Sequence, residues 1–544
     1  MTALQEHLAA LYTRERARAI GKRITELMRL HFPEAAPNPR PGGRLPLSQK
    51  DALLISYGDQ VRGGNATPLS TLGSFLGDHV ANAVTAVHLL PFFPWSSDDG
   101  FAVIDYRSVD PSIGTWDDVS ALRARYDLMF DAVLNHVSAE SDWFRRFRDG
   151  DAKYREYFIV VDGDPDLSKV VRPRTSPLLT TVATASGTKR VWTTFGPDQI
   201  DTNVKNPDVL LELLDVLLLY VERGAKFIRL DAIAYLWKEI GTSCLNLPQT
   251  HAAVQLMRTV LDAVSPDVML ITETNIPHRE NLSYFGNGRN EAQLVYNFAL
   301  PPLVLHSLTR GNAEALTTWA ETLSLPGPRV TFLNFLASHD GIGVTPVRDL
   351  LSQPDQAALA QLALDRGGFV SYRRNADGTD SPYELNINYL DALTDPAQDE
   401  SLAIDRFLTA HAIMLAMPGL PAIYFHSLFG SRGDREGALA AGMPRRVNRQ
   451  KFVREDLDRE LNDPSSRRAR ILKGMLALLN QRRGSAAFEP TARAEVLRLD
   501  PRVFAVRRLA STGSQSVTCL HNVSADTVTV SGEVLGPYQF RWLG

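Results

Sequence analysis

AKFIRLDA, at residues 225–232, is a short apolar run that ends in polar residues, and this pattern indicates the fold class. Seven similar runs occur elsewhere in the chain. They are LLISYGD (53–59), VTAVHLLPFFP (84–94), LMFDAVLNH (128–136), VMLITETN (268–275), LVYNFAL (294–300), VTFLNFLASHD (330–340) and PAIYFH (421–426). Each run is too short for a typical helix and is rich in Val, Ile, Leu or Phe, which is typical of buried parallel strands.

Helical patterns separate several of these strands. Two examples are PDVLLELLDVLLLYVERG (207–224) and THAAVQLMRTVLDAV (250–264), and Gly224 is a typical residue for a helix to stop at. Eight strands that alternate with helices predict an α/β fold, a (β/α)8 TIM barrel.

Two connections are longer than one crossover helix needs, and they predict insertions over residues 137–204 after strand 3 and 341–410 after strand 7. Both insertions are expected on the C-terminal face of the barrel, where barrel active sites lie. The runs VFAVRRLA, SVTCLHNV and DTVTVSG predict a small antiparallel β-sheet domain at the C-terminus. The expected division is therefore barrel over 1–136, 205–340 and 411–485, insertions over 137–204 and 341–410, and a C-terminal domain over 486–544.

Composition excludes several classes of protein. The 544 residues include 58 Lys and Arg against 62 Asp and Glu, and the formal charge of −4 gives no electrostatic reason for binding nucleic acid or membranes. Cys244 and Cys519 are too few for a disulfide framework or a Cys-rich zinc site, which favours a reducing compartment. No run has the length of a membrane helix, and the amphipathic N-terminus does not resemble a secretory signal. We therefore expect a cytoplasmic enzyme, with monomer and homodimer both open.

Polar clusters end four of the predicted strands. They are Asn135 and His136 after strand 3, Arg229 and Asp231 at strand 4, Glu273 after strand 5, and His339 and Asp340 after strand 7. In a barrel the C-terminal ends of the strands converge on one mouth, so these side chains are expected to meet around one substrate.

Three carboxylates in this arrangement suit the chemistry of glycosidic bonds. One ionised carboxylate attacks the anomeric carbon, a protonated one donates to the leaving oxygen, and the third stabilises the developing positive charge. Arg229 lies two residues before Asp231, on the same strand face, and is expected to keep that carboxylate ionised. Each residue alone permits a structural role, such as a helix N-cap for a lone Asp, and the joint pattern favours catalysis.

The chain is identified as a member of the α-amylase superfamily, glycoside hydrolase family 13, and most resembles its sucrose phosphorylase subfamily. The resemblance covers about residues 50 to 480. The motifs that carry it are VHLLPFFPWSSDDGF, RPRTSPLL, VWTTFGPDQID, RLDAIAYLWKEIGTSC, YNFALPPLVLHSL and SHDGIGV.

The resemblance implies Asp231 as nucleophile, Glu273 as general acid/base and Asp340 as transition-state stabiliser. It also implies a set of glucose-binding residues: Asp98, Phe101, His136, Phe195, Gln199, Arg229, Tyr235, His339 and Arg445. Arg445 is expected to pair with Asp98, with Arg449 as the alternative. No metal motif and no Gly-rich phosphate loop occurs in the sequence, so neither a metal nor another cofactor is expected.

The implied reaction is the retaining transfer of glucose from an α-glucoside to inorganic phosphate, which gives α-glucose 1-phosphate. A phosphate dianion beside a carboxylate needs local positive charge, and Arg172 and Arg174 of the first insertion are the candidates, together with Tyr383 of SPYELNIN (381–388). Sucrose is the default donor. Sucrose 6′-phosphate, glucosylglycerate and glucosylglycerol remain alternatives, because the second insertion departs from the sucrose pattern. An anionic acceptor would need a further cation, for which Arg174, Lys189 and Arg348 are candidates.

Two other functions remain open at this point. A hydrolase or transglucosidase of the same fold, similar to amylosucrase or α-glucosidase, would use water or a sugar in place of phosphate. A non-catalytic barrel acting as a binding subunit is disfavoured, because all three carboxylates are present.

Overall fold

Eight parallel strands close into a barrel in the computed structural model, which describes residues 2–34, 43–80, 82–375, 378–511, 513 and 515–544. The barrel strands in chain order are Leu53–Ser56, Ala86–Leu89, Asp127–Ala132, Ala225–Leu230, Met269–Thr272, Leu294–Tyr296, Thr331–Asn334 and Leu420–Tyr424. Each strand overlaps one of the eight predicted runs and pairs with its sequence neighbours, and the eighth strand pairs with the first. The predicted TIM barrel is therefore confirmed.

Helices connect the strands and cover the outside of the barrel. The α-helices are Ala3–Leu11, Arg14–His31, Pro68–His79, Trp116–Arg123, Asp142–Arg148, Pro207–Glu222, Pro248–Val264, His278–Leu282, Leu300–Arg310, Glu314–Glu321, Gln353–Asp365, Tyr389–Leu393, Glu400–Ala416, Phe425–Leu428, Arg435–Ala441, Arg454–Asn462 and Arg467–Arg483. Short 3-10 helices span Asp98–Gly100, Ile233–Tyr235, Ser283–Phe285, Thr345–Val347, Pro444–Asn448 and Ala486–Phe488.

The helix Pro207–Glu222 illustrates why these segments are helical. The Asn206 side chain accepts a hydrogen bond from the first turn, and Pro207 takes the first helical position, where its missing N–H costs nothing. Beyond the helix, Gly224 has a φ of 94°, a left-handed conformation that most other residues avoid. The predicted helix and its stop at Gly224 are both observed.

The first insertion combines one helix with four strands. The strands are His136–Ser138, Leu179–Thr184, Gly187–Trp192 and Gln199–Asp201. The middle two strands form an antiparallel hairpin, and the outer two pair antiparallel with His136 opposite Asp201. This outer pair anchors the insertion directly at the end of the third barrel strand.

The second insertion contains a three-stranded antiparallel sheet. Its strands are Ile342–Gly343, Phe369–Arg374 and Asp380–Asn386, and the helix Gln353–Asp365 packs beside them. The expected boundary at residue 410 falls inside the helix Glu400–Ala416. Nearer the mouth of the barrel, the short strands Val61–Arg62 and Phe452–Val453 form a parallel pair.

The C-terminal domain is an antiparallel sheet, as predicted. Its strands are Arg493–Asp500, Val503–Leu509, Ser516–Asn522 and Phe540–Leu543, with a small hairpin formed by Val528–Val530 and Glu533–Leu535. Thr331 Oγ1, at the start of the seventh barrel strand, donates to the carbonyl of Pro490 at 2.8 Å. The domain therefore lies on the side of the barrel where the strands begin, opposite the mouth.

Burial agrees with the parallel-barrel reading, because the residues of the barrel strands are almost all buried. Among the described residues, no helix combines the length and apolar character that crossing a bilayer requires.

Candidate active site

One pocket lies at the mouth of the barrel, where the strands end. Asp231 and Glu273 directly follow the fourth and fifth barrel strands, and Asp340 lies in the loop after the seventh. All of the predicted catalytic and glucose-binding residues except Arg229 line this pocket, as do Arg174 and Tyr383, whereas Arg172 does not. The lining residues are Asp98, Phe101, His136, Arg174, Phe195, Gln199, Asp231, Ala232, Ala234, Tyr235, Glu273, Thr274, Asn275, Phe298, His339, Asp340, Gly341, Tyr383, Glu384 and Arg445.

A buried row of charges lies beneath the pocket. Arg229 Nη1 donates to Asp231 Oδ1 at 2.8 Å and also to Asp131, which stands opposite it on the adjacent strand. His88 Nε2 lies 2.6 Å from the other oxygen of Asp131. Burial opposes ionisation of Asp131, but Arg229 and His88 outweigh it and lower the pKa of Asp131 to about 2. Burial likewise raises the pKa of Asp231, and the Arg229 guanidinium limits that rise.

Glu273 has the electrostatic surroundings of a proton donor. Burial is the main cause that raises its pKa to about 7, and the negative charges of Asp231 and Asp340 contribute. The Ala232 N–H donates to Glu273 Oε2 at 2.9 Å, and Arg229 Nη2 lies 3.7 Å from the same oxygen. Ala232 has a φ of 47°, an uncommon left-handed backbone for a residue with a side chain, and this turn presents its N–H to the carboxyl group.

Asp340 stays ionised because cations surround it. Arg445 Nη1 lies 2.8 Å from Asp340 Oδ1, and Arg449 Nη2 lies 3.5 Å from the same oxygen. Burial opposes ionisation, but these arginines, Arg445 foremost, hold the pKa of Asp340 well below its usual range. One site therefore holds a carboxyl group that is partly protonated near neutral pH beside a carboxylate that is not, the division of roles that general acid catalysis requires.

The partner of Asp98 corrects the sequence expectation. Arg449 Nη1, which is almost fully buried, lies 3.0 Å from Asp98 Oδ1, whereas Arg445 contacts Asp340 and Glu384. Arg445 lies within the 3-10 turn Pro444–Asn448 and Arg449 directly follows it, and the two side chains reach different carboxylates. Arg445 still lines the pocket as expected, but the Asp98 ion pair belongs to the alternative, Arg449.

An aromatic and imidazole wall forms the inner end of the pocket. The ring of Phe101 stacks on His339 with centroids 4.6 Å apart and planes 4° apart. Burial lowers the pKa of His339 to about 3, so this ring is neutral at physiological pH. His136 Nδ1 accepts from Asn135 Nδ2 at 3.3 Å, which leaves the proton on Nε2, 2.8 Å from the Phe101 carbonyl oxygen. Gln199 Nε2 donates to that carbonyl at 3.3 Å.

The two insertions meet across the outer end of the pocket. The Arg174 guanidinium lies 5.9 Å from the ring centre of Phe195 and 5.8 Å from that of Tyr383, between the two rings. Arg174 Nη1 is 4.0 Å from Glu384 Oε2 of the second insertion. Phe195 packs edge-on against Tyr235 at 5.4 Å. A cation therefore projects into the pocket from the first insertion and contacts groups on both sides.

The chain is similar to proteins of known activity. Residues 82–341 match the family model of the α-amylase catalytic domain. A glucosylglycerate phosphorylase from Allomeiothermus silvanus is 48% identical over 555 residues, which cover 99% of this chain and 98% of that protein. A sucrose phosphorylase from Agrobacterium vitis is 32% identical over 437 residues, which cover 76% of this chain and 85% of that protein.

A solved structure shares the fold closely. The crystal structure of sucrose 6F-phosphate phosphorylase from Thermoanaerobacter thermosaccharolyticum superposes with a TM-score of 0.77 at 26% identity, covering 89% of this chain and 98% of that one. This chain belongs to the α-amylase family. Within glycoside hydrolase family 13 it falls in the sucrose phosphorylase subfamily, and it is a glycosyltransferase that acts as a glycoside phosphorylase.

The cations expected near the acceptor of this phosphorylase lie in different places. Arg174 lines the active-site pocket, but Arg172 does not; it lines an adjacent cavity, as does Arg348. Lys189 is on the hairpin formed by the middle two strands of the first insertion and is not among the residues that line the active-site pocket. Arg172 thus departs from its expected position beside the catalytic carboxylates.

Sequence reasoning missed three buried charged residues around the phosphorylase pocket: Asp131, Lys238 and Glu384. Asp131 had a usable signal, because a charged residue inside the apolar run LMFDAVLNH needs a buried counter-ion. Glu384 accepts from the Gly341 N–H at 2.7 Å and from Arg445, and it follows Tyr383 directly in the sequence. In the sequence, the one feature that pointed to Glu384 was its position next to Tyr383.

Lys238 neutralises the base of the first insertion. Its Nζ lies 2.6 Å from Asp201 Oδ2 and donates to Asn135 Oδ1 at 2.5 Å. Asn135 in turn donates to Asp201 and to His136, so this buried lysine supports the side chain that orients His136. Within the described part of this family member, no cluster of three or more His, Cys, Asp or Glu side chains could hold a metal ion.

Proposed function

We propose that this phosphorylase acts on glucosylglycerate, transferring its glucosyl unit to inorganic phosphate and releasing glycerate. The observation that carries the proposal is the 48% identity over 99% of the chain to a glucosylglycerate phosphorylase, against 32% over 76% to a sucrose phosphorylase. Sucrose, which the sequence analysis gave as the default donor, is therefore less favoured, and glucosylglycerate, one of its alternatives, takes its place.

In the first half of the proposed reaction, Asp231 attacks the anomeric carbon of the glucosyl unit. The bond from that carbon to the glycerate oxygen breaks, and Glu273 gives its proton to the departing oxygen. A pKa near 7 supports this role for Glu273, since an ordinary carboxyl group would be ionised at neutral pH. The Asp340 carboxylate, held ionised by Arg445, stabilises the positive charge that develops on the sugar ring.

In the second half, an oxygen of inorganic phosphate attacks the anomeric carbon and the ester to Asp231 breaks. Two inversions at that carbon leave the α configuration, so the product is α-glucose 1-phosphate. Glu273, ionised after the first half, accepts a proton from the incoming nucleophile. Arg174 is the proposed phosphate ligand, because it projects into the pocket between Phe195 and Tyr383.

The glucosyl unit itself is proposed to lie between Asp98 and the stacked pair of Phe101 and His339. Asp98 would accept hydrogen bonds from sugar hydroxyls, and Arg449 Nη1 lies 3.0 Å from its Oδ1. His136 lines the pocket beside the sugar, with its Nε2–H held by the Phe101 carbonyl oxygen.

A substrate screen tests the proposal. Purified enzyme is given glucosylglycerate, glucosylglycerol, sucrose or sucrose 6′-phosphate, with and without phosphate, and α-glucose 1-phosphate and free glucose are measured. We expect the highest kcat/KM with glucosylglycerate and a strict need for phosphate. Glucose release that does not depend on phosphate would instead support the hydrolase reading. Asp231→Ala serves as the inactive control.

A further inference from the structure

A second cavity of about 260 Å³ lies beside the active-site pocket. Tyr235, Asn275 and Tyr383 line both spaces, so the cavity adjoins the pocket on the side away from the glucose-binding wall. Its walls come from the first insertion, the loop after Glu273 and the second insertion. The second insertion, which departs from the sucrose pattern, therefore forms part of its wall.

Three arginines face this cavity: Arg172, Arg348 and Arg373. Arg172 Nη2 is buried and has no hydrogen-bond partner among the described residues. Arg373 Nε donates to the Ser381 hydroxyl at 3.1 Å, and no ion pair of Arg373 occurs within the described part of the chain. Arg348 Nε lies 3.9 Å from the exposed carboxylate of Asp349, so of the three arginines only Arg348 has an ion pair among the described residues. Three positive charges thus face a cavity that a single carboxylate, Glu280, lines.

The electrostatic surroundings agree with an excess of cations. Burial lowers the pKa of Arg373, and the charge of Arg348 lowers it further. Burial and the charge of Arg374 lower the pKa of Arg172 in the same way. Glu280, an exposed residue, is the carboxylate that lines the cavity. Guanidinium groups that repel one another in this way favour an anion between them.

Two buried neutral groups in the same cavity also have no partner among the described residues. They are Asn275 Oδ1, an acceptor, and Thr345 Oγ1, which can donate and accept. Unpaired buried polar atoms are costly, and a ligand hydroxyl can satisfy both groups. A ligand that carries an anionic group and adjacent hydroxyls therefore matches the chemistry of this cavity.

We propose that this cavity receives the acceptor and that its arginines select a small hydroxycarboxylate such as glycerate. The inference rests on the proposed function, because it takes the acceptor to be anionic. The acceptor oxygen lies at Glu273 in the pocket, and the carboxylate lies between Tyr235 and Tyr383 toward Arg373. Arg174 lines the active-site pocket and not this cavity, so it stays available for phosphate. Different cations therefore bind the two anions, phosphate and the acceptor carboxylate.

The second insertion supplies a matched pair of variants. Arg373 and Arg374 are neighbours on the strand Phe369–Arg374, where successive side chains point to opposite faces. Arg373 lines the cavity, whereas Arg374 pairs with Asp380 at 2.5 Å on the other face. Arg373→Gln and Arg374→Gln remove the same charge from adjacent positions.

The experiment measures phosphate release from α-glucose 1-phosphate with glycerate, glycerol or fructose 6-phosphate as acceptor. We expect Arg373→Gln to raise the KM for glycerate by about 10- to 100-fold, the range for loss of a charge-assisted hydrogen bond. Glycerol, which lacks the carboxylate, should be used equally well by both variants and the wild type. The KM for phosphate in the forward direction should also be unchanged in Arg373→Gln.

The outcomes separate this inference from the proposed function. If wild type prefers glycerate but Arg373→Gln weakens glycerate and glycerol equally, or matches Arg374→Gln, the acceptor cavity is wrong and the proposed function stands. If Arg373→Gln loses fructose 6-phosphate but not glycerate, the cavity serves a phosphate ester and the hydroxycarboxylate assignment is overturned. If wild type shows no preference for any anionic acceptor, both proposals fall.

Discussion

Arg229 Nη1 lies 2.8 Å from Asp231 Oδ1, and the same nitrogen also donates to Asp131 on the adjacent strand. All three side chains are buried, so one guanidinium is the shared counter-ion of two carboxylates beneath the mouth of the barrel. An ion pair in such surroundings is maintained by geometry and hydrogen bonds, and removal of the cation leaves uncompensated charge.

Arg229→Gln should lower both stability and activity. Loss of the counter-charge that two buried carboxylates share is expected to reduce the free energy of unfolding by about 3–5 kcal/mol. Arg23→Gln is the control, because Arg23 pairs with Asp208 at 2.6 Å on the surface and should cost less than about 1 kcal/mol. Denaturant unfolding measures the free energy of unfolding of both variants. Equal losses in the two variants would contradict the prediction.

The pH profile should reflect Glu273. Its pKa is raised to about 7, so the proton that glycoside cleavage needs is present below that pH and is lost above it. The kcat/KM for the glucoside is therefore expected to fall about tenfold per pH unit on the alkaline side.

The control for this profile is Glu273→Gln with α-glucosyl fluoride, whose leaving group needs no proton. The alkaline decline in enzyme glucosylation should be absent in that combination. A decline that persists would assign the titrating group to another residue.

Substitutions of Asp98 and Asp99 should have different effects on activity and stability, although the two residues are adjacent. Both lie 3.0 Å from Arg449 Nη1, but Asp98 lines the pocket and Asp99 does not. Asp98→Asn is expected to lower kcat/KM by about 100-fold through weaker bonds to the sugar, as for loss of a charge-assisted hydrogen bond. Asp99→Asn should act mainly on stability. Steady-state kinetics and thermal unfolding of both variants distinguish the two effects.

Lys238→Met should destabilise the protein strongly. Asp201 would then remain buried without its cation, at a cost of about 3–5 kcal/mol in the free energy of unfolding. Lys205→Met is the matched control, because Lys205 pairs with Glu239 at 2.5 Å where both side chains are about half exposed, and it should cost less than about 1 kcal/mol. Similar losses of unfolding free energy in the two variants would show that the buried network around Lys238 does not stabilise the protein.

The barrel and its three carboxylates were predictable because both depend on local pattern. Each apolar run is a strand whichever neighbour it pairs with, and Asp231 and Glu273 follow their strands directly, so the closure of the barrel brings them together. The antiparallel C-terminal domain was predictable for the same reason, because its short β-prone runs are separated by turns.

Partner choice was not predictable. Arg445 and Arg449 are four residues apart, and the sequence pattern allows either of them to face Asp98. In the folded chain Arg445, within the 3-10 turn Pro444–Asn448, pairs with Glu384 of the second insertion, and Arg449 pairs with Asp98. Arg172 and Arg174 alternate along an irregular loop, where no regular period indicates which one faces the pocket.

The barrel, the order of its strands and the residues that end them follow from the amino-acid sequence, because strand formation depends on the local hydrophobic pattern. The pairing of the charges does not follow from it: the folded chain shows that Asp131 shares Arg229 with Asp231, and that a second arginine-lined cavity adjoins the pocket. An ion pair or a cavity joins residues far apart in the chain, and the strength of an ion pair depends on ångström-scale distances and on burial, which no local pattern contains.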